Sequence, residues 1–215
     1  MTASRNALAP GLRALCAFAA AMSHGRFAAA TRALRAARAA GVRRVAAEEV
    51  ALMLMLYAGY PAALEGLRAL NDAWPGRARR SREGRPARWR AAGEALCARV
   101  YGPSFARLVP AVRALHPDLA AWMIEHGYGR VLSRPGLSAR ERELVTVAAL
   151  AAGEWPRQLA SHLLGGLRVG AREAELRQAL LAGAATAGPA ARAAARAEWE
   201  RLRRATGRRP ARSPR

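Results

Sequence analysis

The chain has 215 residues, enough for one compact unit or two small similar ones with a sizeable core, and 52% of them are hydrophobic but only 6% aromatic. Its formal charge of +21 invites a nucleic-acid or anionic-surface partner, yet all 36 basic residues are arginine, and the excess of Ala, Arg, Gly and Pro is what GC-rich codons supply without selection for binding. No nucleic-acid reader motif and no interleaving of basic with aromatic residues accompanies that charge. Only Cys16 and Cys97 are present, without CxxC or ligand spacing, which excludes a disulfide framework and a cysteine metal site and fits a reducing cytoplasm.

Alanine and leucine runs punctuated by Gly and Pro predict helix almost throughout, so the fold class is all-α. Residues 1–11 read as frayed, followed by helices over 12–22 and 27–40, broken near Ser23-His24-Gly25. The apolar run Ala14 to Met22, with Arg5 and Arg13 upstream, mimics a signal-peptide core, but the repeat described below makes it a helix of the fold. Gly41 stops the second helix, and a third over 47–58 ends at Gly59-Tyr60-Pro61 before a fourth over 62–74. Val50 to Leu64, the longest apolar stretch, is too short and too broken to span a bilayer, and no membrane partner is expected.

Residues 75–86 are Pro/Gly/Arg-rich without apolar period and read as a solvated loop. Helices follow over 89–101, 105–115 and 118–128. Ser138-Ala139-Arg140-Glu141 is a capping box that starts a helix running to about Ala152. The chain turns at Gly153 to Pro156 and returns over 157–169 to stop at Gly170. Two more helices, broken at Gly188-Pro189, precede an Arg/Pro/Gly-rich tail after about Leu202 that has no apolar face and reads as disordered.

Displacing the chain by 129 residues, the separation of Gly41 and Gly170, aligns two long windows without a gap. Arg13 falls on Arg142, Leu15 on Leu144, Ala19 on Ala148 and Gly59 on Gly188, and AGYPAA then matches AGPAA with one deletion. Alanine matches are cheap in such a chain, but Gly and Pro matches at helix ends answer backbone requirements. The reading is an internal duplication: 1–74 a first, degenerate repeat, 75–88 a linker, 89–202 a second repeat, and 203–215 a basic tail. Glu143 falls opposite Ala14 and His162 opposite Ala33, so only the second copy carries this acid–base pair.

HPDLAAWMIEHGYGRVLSRPGLSARERELVTVAAL followed by RQLASHLLGGLRVGA resembles the carboxymuconolactone decarboxylase family, and LYAGYPAALEGL resembles the same family's later helix pair. The resemblance spans Leu12 to about Trp199. It implies an alkylhydroperoxidase D-like helical bundle, assembled as a homo-oligomer, a trimer or hexamer. In the superfamily's peroxidase branch a Glu, a Cys-x-x-Cys and a His four residues later do the chemistry. Glu143 and His162 match that Glu and His, while Trp155 and Gln158 stand at the two Cys positions, so no thiolate is present to attack a peroxide.

The decarboxylase branch keeps REL and RQLxSHL, as Arg142 to Leu144 and Arg157 to Leu163 do here. This resemblance implies cofactor-free decarboxylation of a small carboxylated unsaturated lactone in aromatic-acid breakdown. One departure concerns the aromatic-Ala-Gly-aromatic-Pro motif, which is intact at Tyr57 to Pro61 but reads Thr186-Ala187-Gly188-Pro189 in the second copy.

A helix rise of about 1.5 Å per residue places Glu143 about 16 Å and His162 about 12 Å from the turn between their helices, at similar depth. On the decarboxylase reading His162 donates the proton, while Glu143 orients the ring and favours imidazolium, as a neighbouring carboxylate does. Arg134 holds a substrate carboxylate as a bidentate pair, and Gln158, one turn before His162, donates an amide hydrogen bond. Gly165 and Gly166 leave room beside His162 for a ligand or for close helix packing. Structural alternatives stand beside each role: Glu143 as a helix-start charge or partner of Arg140 or Arg142, His162 as a core histidine, Arg134 as a structural cation. His116, Glu125 and His126 lack metal-like spacing and read as packing or solvation, and Tyr57 and Tyr60 as core or subunit contacts. No metal and no cofactor is expected. The rival functions are a non-catalytic helical oligomer that binds a small ligand or protein, and an arginine-driven nucleic-acid binder acting through the tail.

Overall fold

A computed structural model describes residues 7–78 and 85–207, and among these there is no strand. The first copy is α1 (Pro10–Ser23), α2 (Phe27–Ala39), α3 (Arg44–Tyr57) and α4 (Gly59–Ala73). An insert follows, which the sequence reading counts from residue 89 on with the second repeat, holding α5 (Pro86–Tyr101), a single 3₁₀ turn, α6 (Phe105–Leu115), α7 (Pro117–Trp122) and a π-helical segment (Met123–Leu132). The second copy is α8 (Ala139–Ala152), α9 (Pro156–Arg168), α10 (Glu173–Ala187) and α11 (Pro189–Ala205).

The 129-residue shift superimposes α1 on α8 and α2 on α9 end to end. The turns match as well, since Gly41 and Gly170 both take positive φ, as do Gly59 and Gly188. Glu154 has φ +58°, and it occupies the place of Gly25 in the first copy, at φ +67°. A side chain there sits in the left-handed region because the repeated turn demands it.

The two copies share one core. α1 and α8 pack against each other, α10 lies across both, and α3 also touches both. Every residue of α8 from Arg142 to Ala152 is buried, which explains why that helix shows no polar stripe. Leu15, Phe18, Leu54, Leu144, Leu176 and Leu180 belong to a single apolar cluster drawn from both copies. Fully burying each such side chain contributes roughly 1.5–3 kcal/mol. The insert is fastened by backbone contact, for a Cβ at Gly93 would stand 2.0 Å from the Ile124 carbonyl oxygen, and one at Gly129 would stand 2.0 Å from that of Trp89. Glycine lets α5 and the π segment cross closely enough to roof the face formed by α3 and α9.

Several boundaries differ from the sequence expectation. Leu8 is buried, and its N–H donates to Gln178 Oε1 at 3.0 Å, so the residues before α1 are anchored rather than frayed from residue 7 on. α4 starts at Gly59 because proline is tolerated in a first helical turn, where no intrahelical amide bond is lost. The helix expected to end at 128 continues to Leu132 in π form. α11 runs to Ala205, since Trp199 and Leu202 are buried and carry the helix past the expected start of the tail. The rest of the tail, 208–215, and residues 79–84 of the expected loop lie outside the described residues.

A buried ion cluster joins the copies. Glu49 on α3 is 2% exposed and accepts from Arg134 Nε at 3.0 and 3.1 Å and from Arg142 Nη2 at 3.0 Å. Arg142 Nη2 also donates to the Arg134 carbonyl at 2.7 Å, while its Nε and Nη1 are buried without a hydrogen bond among the described residues. A second buried carboxylate, Glu175 at the start of α10, accepts from the Arg172 backbone N–H at 3.0 Å and pairs with the side chains of Arg172 and Arg140.

Removing the Glu49 carboxylate leaves the buried Arg142 guanidinium without its ion partner, so Glu49→Ala is expected to lower unfolding stability by about 3–5 kcal/mol in urea titrations, against under 1 kcal/mol for half-buried Glu65→Ala. Burial alone raises the Glu175 carboxyl, but its bonds to Arg172 and Arg140 win and hold it near a pKa of about 2, below the ordinary 4.5. A folded-state value below the unfolded one means stabilisation that is present above pH 4.5 and lost as pH falls toward 2. Thermal melts across that window should therefore fall less steeply in Glu175→Gln than in the unaltered protein.

Candidate functional site

α8 carries Glu143 inward one residue after Arg142, whose side chain is turned to α3. α9 carries His162 inward on the face that buries Leu159, Leu163, Gly165 and Gly166. Their side chains meet: His162 Nδ1 lies 2.8 Å from Glu143 Oε2, with the two residues 6% and 3% exposed. The carboxylate accepts, so Nδ1 carries the proton of that bond. Nε2 makes no hydrogen bond among the described residues. A Cβ on Gly165 would stand 2.9 Å from Glu143 Oε2 and 2.6 Å from Val100 Cγ1. The glycine gives the carboxylate its seat, and Gly166 lies as closely against Leu176, so both small residues serve helix packing rather than ligand space.

Nε2 is the nitrogen left to a cavity of about 300 Å³ that His162 lines together with Tyr57, Tyr101, Trp122, His126 and Tyr128. The rings of Tyr57 and Tyr101 each stand edge-on to the imidazole with centroids 6.2 Å away, and Tyr101 meets Tyr128 in the same manner at 6.1 Å. Thr146 Oγ1 on α8 donates to the Tyr57 phenol oxygen at 3.0 Å. Burial, and then the Glu143 charge, push the Tyr57 phenol above its ordinary pKa; burial does the same at Tyr128 and Tyr101, so all three are protonated at neutral pH. His126 is shifted the other way, because burial and then Arg130 disfavour its charged form. The cavity wall is apolar apart from phenol and imidazole groups.

The structure brings Glu143 and His162 together, but not Arg134 or Gln158 with them. Arg134 is not among the residues lining the cavity; its guanidinium lies on Glu49, and it borders a smaller depression of about 120 Å³ with Tyr60, His126 and Arg130. Gln158 is exposed, because the first turn of α9 stands out from the core. Neither Arg140 nor Arg142 partners Glu143, since they pair with Glu175 and Glu49. His116 caps α7 by accepting from the Asp118 N–H at 3.2 Å, and Glu125 pairs with Arg90 at 2.5 Å. His126, read from sequence as packing or solvation, and Tyr57, read as a core or subunit contact, both line the cavity, Tyr57 while also packing against the core. The intact Tyr57 to Pro61 motif was the signal for Tyr57; nothing local marked Tyr101 or Tyr128.

At the positions of the peroxidase cysteines Trp155 and Gln158 are both exposed. Burial pushes the Cys16 and Cys97 thiols up to about 12, with Glu143 adding to the shift at Cys97, so neither is a thiolate at neutral pH. Among the described residues no cluster of three or more His, Cys, Asp or Glu side chains could hold a metal ion, and no helix is long and apolar enough to cross a membrane.

No curated protein matches the chain. The model of the carboxymuconolactone decarboxylase family matches residues 1–72 and again 117–198, one match on each copy of the repeat and together well over half of the sequence. The chain belongs to the carboxymuconolactone decarboxylase family.

Proposed function

We propose that the protein is a cofactor-free decarboxylase, or a closely related proton-transfer enzyme, acting on a small carboxylated lactone or a related compound of aromatic-acid breakdown. The observation that carries this reading is the buried Glu143–His162 contact with the imidazole at the wall of a cavity of about 300 Å³. Loss of carbon dioxide leaves the electron pair of the broken C–C bond to flow through the conjugated system onto the ring carbonyl oxygen. His162 then delivers a proton to carbon from Nε2 as the enolate collapses, and the imidazole regains its proton from water. Glu143 holds the ring by Nδ1, which fixes its orientation and leaves Nε2 as the nitrogen that donates. Largely apolar walls suit this chemistry, because a carboxylate leaves more readily as a neutral gas where water does not solvate it.

The protein works on a small molecule in the cytoplasm, as a homo-oligomer, rather than on nucleic acid. Self-association is supported by Leu119 and Trp122 at the cavity, the tryptophan being 63% exposed, and by Tyr60 and Leu64 on α4, all large apolar side chains open to solvent in the single chain. Sedimentation of Trp122→Arg should show a smaller species than the unaltered chain.

Purified protein incubated with carboxylated muconolactones should release carbon dioxide without added metal or cofactor. His162→Ala is expected to lower turnover by about 100- to 10,000-fold, the range that a positioned general acid supplies, with Glu143→Gln falling in the same direction and helicity kept in both. Unchanged turnover in either variant removes these roles. Gly165→Ala, which pushes the carboxylate off its seat, should also reduce turnover while leaving the cavity's binding of a neutral ring intact.

A further inference from the structure

The charge that develops on a substrate oxygen needs a hydrogen-bond donor, and neither Arg134 nor Gln158 lines the cavity where His162 could act. Resting on the reading of that cavity as the reaction site, we propose that Tyr57, supplied by the first copy of the repeat, is a catalytic residue that donates its phenol hydrogen bond to the oxyanion, with Thr146 as the positioning residue that aims it.

The reach of the Thr146–Tyr57 bond carries the argument. Thr31, Ser161, Thr186 and Thr206 all sit on or at the end of helices, and each donates its hydroxyl to the carbonyl four residues earlier. Thr146 alone among these donates across to another helix, onto the Tyr57 oxygen at 3.0 Å. With Thr146 donating to that oxygen, the phenol's own proton is left for an acceptor in the cavity. A substrate oxygen in the cavity supplies that acceptor, since Tyr57 lines the cavity. Its ring also stands edge-on to His162 at 6.2 Å, which brings the oxyanion donor and the proton donor onto one bound ring.

The duplication fits the same division. Thr186 occupies the place of Tyr57 in the second copy and donates to its own helix at Ala182, while Ala17 occupies the place of Thr146 in the first. Glu143 and His162 face Ala14 and Ala33 in the same comparison. Each copy has kept what the other lost, and a complete set of groups exists once, where α3 meets α8 and α9. No proton leaves Tyr57 in the step: it donates a hydrogen bond while the C–C bond breaks, and the proton that forms the new C–H bond comes from His162.

The test is binding of 4-nitrophenolate to the full chain, with nitrobenzene as a ring of like shape that carries no oxyanion. The unaltered protein should bind the phenolate with its visible band moved to shorter wavelength. Tyr57→Phe should weaken that binding by about 10- to 100-fold, as expected for a hydrogen bond to a charged group, and lose the band shift, with nitrobenzene binding unchanged. Thr146→Val should weaken it several-fold in the same selective way, and Tyr60→Phe, outside the cavity, should leave it within about twofold. On a turned-over lactone, Tyr57→Phe lowers kcat with little change in KM. Absence of a shifted band in the unaltered protein, full affinity in Tyr57→Phe, equal loss of nitrobenzene, or a loss in Tyr60→Phe instead would each overturn the assignment. If no lactone is turned over the decarboxylase reading fails, while the phenolate titration still decides the role of Tyr57.

Discussion

Glu49 is held by two guanidinium groups from outside its own copy, and this contact sets where α3 lies on α8. α3 is pinned to α8 twice, by Glu49 to Arg142 and by Tyr57 to Thr146, one helical turn apart along α8. With α8 fixed in rotation by the first contact, Glu143, the next residue, is turned toward α9 and His162. A buried carboxylate shared by two arginines is costly to desolvate, and the cluster stabilises the fold only as a complete set. Its consequence is register: the end of α3 that bears Tyr57 stands beside the imidazole.

The insert completes what the repeat leaves open. α5 packs on α9 and the π segment packs on α3, so the roof of the cavity rests on one helix from each copy. The crossing of α5 and the π segment is closer than any side chain permits, at Gly93 and Gly129, which brings Tyr101 and Tyr128 together above His162. The widened π turn occurs in the wall of the cavity, where such irregular turns are often found.

What could be read from the sequence was what neighbouring residues decide. The capping box at Ser138 and Glu141, the turns at Gly41 and Gly170, and the helices between them follow from local backbone requirements, and all are present. The Glu143–His162 pairing was legible because two adjacent helices joined by a short turn have a known rise. Arg134 was not: its partner Glu49 is 85 residues away, and an arginine in a loop before a helix looks the same whether it meets a ligand or a carboxylate. The cavity position of Tyr57 was hidden for a related reason, since a tyrosine at a helix end is an ordinary core residue until Thr146, 89 positions on, is seen to bond to it. The π form of 123–132 has no local signature, because its apolar spacing is close to that of an α-helix and the backbone contact with Trp89 is tertiary.

The duplication also bears on why an ionisable pair is buried at all. Glu143 and His162 sit in a core that would otherwise be apolar, and replacing a buried pair by apolar side chains is commonly neutral or stabilising. The first copy makes that replacement: Ala14 and Ala33 occupy the two positions, both are buried, and α1 and α2 keep the lengths and the turn of α8 and α9. The helical hairpin therefore folds without the pair. Gly165, which seats the carboxylate, corresponds to Ala36 in the first copy, where there is no carboxylate to accommodate. A seat, a carboxylate and an imidazole are thus present together in one copy and absent together from the other, a pattern that packing does not require.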